Sequence, residues 1–165
     1  MSDWPARRHL VSIYDALYQA LGEGAPRVTH DAFVVRLHEA SRAFGALALE
    51  LRDDDDVVVE PVVYTVLLNA LAQDDSGALA LYALAMLIGP RLLVTLRDYL
   101  ETETDPRHRE ILSRGSDQVV REVRAVGAVV TDEEPLDDPA WAESARAIYE
   151  TLDAAGMTES LGPRH

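Results

Sequence analysis

Apolar residues recur along this chain every three or four positions, the spacing of an α-helix, and seldom alternate as they do in a half-buried strand. Leu10, Tyr14, Leu17 and Leu21 make the first such stripe, with Asp3 as a polar cap ahead of it, Pro5 in the opening turn and Gly22 as the stop. A second helix follows Thr29 as its cap. Phe33, Leu37, Ala40, Phe44, Leu47 and Leu51 keep the step, with Arg36, Glu39 and Arg42 off the stripe. Four adjacent aspartates, Asp53 to Asp56, end it, because negative charge opposes the negative end of a helix dipole.

The stretch from Val57 to Gln73 carries two signals. Its β-branched valines suit a short strand, but Glu60-Pro61 interrupts a ladder, and Val66, Leu67, Ala70 and Leu71 return to helical spacing. A helix beginning near Pro61 is expected. The fourth helix, Ala78 to Glu101, is apolar nearly all round through Ile88, so neighbours should wrap it and make it the central element. Gly89-Pro90 should kink or divide it. A fifth helix opens at Asp105-Pro106, with Leu112, Val119, Val123, Val126 and Val130 on its apolar side and Gly115-Ser116 as a weak point midway. After an acidic linker from Thr131 to Asp138, a sixth opens at Asp138-Pro139, carries Trp141, Ala145, Ile148 and Leu152, and ends at Gly156.

The expected fold is all-α: one bundle of about six helices over residues 1–156, with a loose polar tail at 157–165. At 165 residues the chain has the length of one ordinary domain. Its charge of −14 disfavours phosphate backbones and anionic membrane surfaces. All 15 basic residues are arginine, so no lysine is present for a Schiff base or a phosphate loop. Cysteine is absent, which removes thiolate catalysis and cysteine-bound metals. The N-terminus lacks the apolar core of a signal peptide, and the apolar stretch from Ala78 to Pro90 is short for a membrane span, so the cytoplasm is the expected compartment.

Candidate chemistry is sparse. No Glu-x-x-His or His-Glu-x-x-His spacing occurs among the five histidines, and no metal site or cofactor is expected. His108, one turn before Leu112, is the histidine best placed for an axial haem ligand of a globin-like domain, although a histidine near a helix start is more often exposed or hydrogen-bonded. Arg91 sits among apolar residues just after Gly-Pro and needs a partner if buried. Glu60, set among valines, is the candidate ion-pair partner. A ligand reading puts an anion against Arg91, with Tyr64 and Tyr82 as pocket walls, in a sensor or an enzyme.

Arg107, Arg114 and Arg121 recur every seven residues, with Arg124 one turn beyond. Two positions after Leu112 lies about 200° around a helix, so this row opposes the apolar row. Its plain reading is a solvated face paired with Glu110 and Glu122. Its functional reading is a strip that orients a protein partner, with a second copy of the chain as a candidate. Catalytic spacing is lacking throughout, so the expectation is a non-catalytic regulatory or adaptor module that self-associates, most simply as a homodimer.

Overall fold

The computed structural model describes residues 4–24, 31–52, 57–71, 78–133 and 139–162. Among these the chain is all-helical, without strands. Six helices follow in order. They are α1 (Pro5–Gly24), α2 (Asp31–Arg52), α3 (Pro61–Leu71), α4, α5 (Pro106–Glu133) and α6 (Pro139–Ala154). α4 is helical over Ala78–Ala83, a π-helical turn Leu84–Ile88, and Gly89–Thr102. Proline opens α1, α3, α5 and α6, at the position where a missing N–H costs nothing and a fixed φ helps. The expected cap at Thr29, the run Asp53 to Asp56 and Asp138 lie outside the described residues.

Every stripe residue named for the first two helices is buried, from Leu10 to Leu21 and from Phe33 to Leu51. The valine stretch makes no strand among the described residues. Residues 57–60 are a non-helical lead into α3, and α1 side chains take up their backbone groups: Arg8 Nε donates to the Val58 carbonyl at 3.0 Å, and the Glu60 N–H donates to Ser12 Oγ at 2.7 Å. Ser12 in turn donates to the Arg8 carbonyl at 2.7 Å.

Gly89-Pro90 does not divide α4. Proline removes a donor and crowds the carbonyl a turn back, and the preceding turn widens instead. The Gly89 N–H reaches the Leu84 carbonyl, five residues back, and the helix continues. A Cβ at Gly89 would stand 2.4 Å from that oxygen and 2.5 Å from Val123 of α5, so glycine is what lets the two helices meet here. Gly115 is likewise no weak point. α5 is continuous through it, and its missing side chain makes room for the Tyr14 hydroxyl of α1.

α4 lies in the core but keeps an outer edge at Met86 and Pro90. The first helix is more fully enclosed, with six consecutive residues, His9 to Tyr14, all buried. It packs on α2 and α3, while α4 packs on α5 and α6. The span Leu79–Thr102 has the length and apolarity to cross a membrane, so the shortness expected of Ala78 to Pro90 does not describe the whole helix; 61% of its most apolar window is buried within the fold.

The tail departs most from expectation. Residues 157–162 are docked, not loose. α6 ends in a Schellman motif: Gly156 takes φ +79°, its N–H donates to the Asp153 carbonyl, and the Met157 N–H donates to the Leu152 carbonyl. Met157 and Leu161 are buried, which on area grounds stabilises the fold by about 2 kcal/mol each. α5 also runs three residues into the expected acidic linker, to Glu133.

Candidate functional site

The residues singled out around Arg91 do not come together, and Arg91 and the arginine row of α5 meet different ends. Arg91, on the first turn after the π-helical segment, is half-buried. Its Nε donates to the Met157 carbonyl at 2.9 Å and its Nη1 to the Leu87 carbonyl at 2.6 Å. The guanidinium carbon also lies 5.5 Å from the centroid of the Tyr149 ring of α6. Glu60 is not its partner. The ion pair expected between them does not form, because Arg91 faces α6 and the tail whereas Glu60 sits at the start of α3 beside α1. Tyr64 points the other way as well and donates to Gln19 Oε1. Tyr82 is half-buried, and none of the described cavities is lined by Arg91, Glu60, Tyr64 or Tyr82.

One turn beyond Arg91, Thr95 extends the same fastening. Its hydroxyl donates to the Arg91 carbonyl at 2.9 Å and accepts the Leu161 N–H at 2.8 Å. His9 of α1 completes it. Its Nε2 lies 3.0 Å from the Leu161 carbonyl and its Nδ1 2.6 Å from the Tyr99 hydroxyl. A carbonyl can only accept, so Nε2 carries the proton and, in the neutral ring, Nδ1 accepts from Tyr99. Burial and the nearby charge of Glu60 push the Tyr99 hydroxyl up to about 12, which keeps it a donor at neutral pH. Gly162 closes on the His9 ring so tightly that a Cβ would stand 2.7 Å from it. Three polar side chains on two helices are thus spent holding one segment of backbone. No periodic sign in the residues marks His9, since helical spacing marks a face and not a polar residue within it.

The seam between α2 and α5 is open. Arg107, Arg114, Arg121 and Arg124 are all exposed on the outer face of α5. The row does not simply face water, because three of the four border grooves at the seam with α2. One groove of about 400 Å³ lies between Ala43, Ala46 and Leu47 of α2 and Arg114, Asp117 and Arg121 of α5. A second, of about 420 Å³, continues toward the start of α5 past Trp4, Arg107 and Glu110. Glu50 lines both, and Arg114 spans the seam to it, Nη2 to Oε1 at 2.5 Å. Below it Tyr14 is buried, and burial together with the Glu50 charge drives its hydroxyl well above the usual phenol range. Across the two grooves four arginines, Arg7 included, stand with four carboxylates, so this face is charge-balanced on a strongly negative molecule.

Glu122 is not part of the wet face. It is buried between α2 and α5, where Arg36 Nη2 meets its Oε2 at 3.0 Å and Gln118 donates to its Oε1 at 3.1 Å. Burial outweighs the attraction of Arg36 and raises its pKa. Arg121 bonds Gln118 at 2.7 Å instead. His108 packs its ring flat on Trp4, with centroids 4.0 Å apart and planes 7° from parallel, and its Nδ1 lies 3.6 Å from Glu103 Oε1. That is a packing role at the rim of a groove, not the apolar surroundings of an axial ligand. Among the described residues no three metal-ligating side chains converge, and no serine or threonine hydroxyl bonds a histidine. Comparison with protein-family models, with curated proteins and with solved structures finds no match to this chain.

Proposed function

We propose that this chain is a non-catalytic helical module, regulatory or adaptor-like, that works through protein contacts on the outer face of α5 and its seam with α2, first of all with a second copy of itself. The observation that carries this reading is the contrast in how arginines are used. Arg91 is consumed by the chain's own tail, whereas Arg107, Arg114, Arg121 and Arg124 stand exposed in register on one helix face. Grooves beside that face are shallow clefts between helices with charged rims, which suits a protein surface better than an enclosed small molecule. The alternative of a ligand pocket near Arg91 loses its walls, because Tyr64 is directed to Gln19 and Met157 and Leu161 fill the neighbouring space.

Native mass spectrometry with an absorption spectrum tests the reading. An assembled mass with no retained small molecule and no visible chromophore is the expected result. A small molecule retained at one per chain would overturn it in favour of a sensor or an enzyme.

A further inference from the structure

The outer stripe of α5 is more ordered than an arginine row. Arg107, Glu110, Arg114, Asp117 and Arg121 are all exposed and succeed one another at steps of three, four, three and four. That spacing keeps them on one line of the helix, and along it the charge alternates in sign at every position. An alternating line of this kind is its own complement when reversed. We infer that two copies of the chain pair antiparallel through this stripe, about a two-fold axis that crosses it midway between Glu110 and Arg114. Arg107 then faces the partner's Asp117, and Glu110 faces the partner's Arg114. The symmetry repeats each pair, giving four contacts of opposite sign along about 15 Å of helix. Arg121 reaches the start of the partner helix, where the partner's Asp105 and the partner's Glu103 stand.

Parallel pairing in register sets arginine on arginine and carboxylate on carboxylate, which is repulsive throughout. The alternation therefore selects direction as well as partner. The rest of the surface pushes copies apart at −14 each, while the balanced charge along the grooves spares this face that repulsion. Exposed Ala46 of α2 flanks the stripe across the groove and offers apolar contact beside it. Arg114 already holds Glu50 and can share its guanidinium between Glu50 and the partner's Glu110, since it presents five donors.

This inference rests on α5's outer face being the contact surface, and the test separates the two. The chain has no cysteine, so thiols can be placed at will. Arg107→Cys and Asp117→Cys are made singly. In the antiparallel pair each protein alone keeps its thiols about 15 Å apart, too far for a disulfide. Mixed, they form a disulfide-linked heterodimer under mild oxidation. Cross-linking of each single variant with itself marks a parallel pair and overturns the inference, as does a monomeric mass for the wild-type chain by sedimentation at all concentrations. In parallel, Asp117→Arg weakens the dimer by about tenfold, and Arg107→Asp together with Asp117→Arg restores it to within about threefold. Dissociation by the single reversal without restoration by the swap overturns the antiparallel register but leaves the face as the contact. Association untouched by either variant removes the face itself.

Discussion

The α4–tail side and the α2–α5 seam use the same residue types to opposite ends. At the tail, Arg91, Thr95 and His9 turn inward and bind the Met157 carbonyl and the N–H and carbonyl of Leu161. At the seam, arginines of α5 stand outside and meet carboxylates across an open groove. The difference follows from where each sits on its helix. Arg91 lies among apolar residues that must be covered, so whatever covers it has to satisfy it. The arginines of α5 lie opposite the apolar side and owe the core nothing. A charged residue in an apolar setting is thus a sign of internal fastening here, whereas the charged row of α5 stays on the outer surface.

Leu161→Ala is the largest way to disturb that contrast. The residue is fully buried under His9 and Thr95, and its truncation is expected to cost about 3 kcal/mol. Denaturant unfolding gives that loss, and limited proteolysis after residue 156 should accelerate with it. Arg91→Gln comes next. It strips two charged hydrogen bonds and leaves the Met157 carbonyl short of a donor, a loss of about 2 kcal/mol that assembly measurements should not register.

Acid separates two carboxylates of opposite habit. Glu103 is held below its ordinary range, chiefly by the Asp105 N–H, with Trp4 and His108 adding to it. A lowered folded pKa adds stability that is full above the unfolded value and is lost as pH falls through the folded one. Glu122 runs the other way. With its pKa raised by burial, the folded state holds the proton longer, so stability falls as pH rises through that window. Unfolding of Glu103→Gln and Glu122→Gln beside wild type over pH 3–7 should therefore show differences that change in opposite directions. The smallest effect is assigned to Arg121→Ala. Exposed and bonded only to Gln118 among described partners, it should shift thermal stability by less than about 0.5 kcal/mol while still weakening self-association.

Helix number, most helix starts and the buried stripes were legible in the residues themselves. Repeats of three and four mark a face whichever neighbour covers it, and proline at a first helical turn acts through its own ring. The direction of the α5 arginine row was legible for the same reason, since it needs only helix geometry. Other features required neighbours. Pro90 widens the preceding turn without breaking the helix, and only the arrival of Val123 of α5 against Gly89 makes glycine necessary there. His9 becomes a fastening only when Tyr99 and Leu161 arrive from residues far along the chain. Glu122 turns inward because Arg36 waits on α2. Local spacing determined which faces are oily and which are charged; which charged groups are used up internally was decided by contacts between distant segments, because a hydrogen bond depends on where its partner lands and not on where it stands in the sequence.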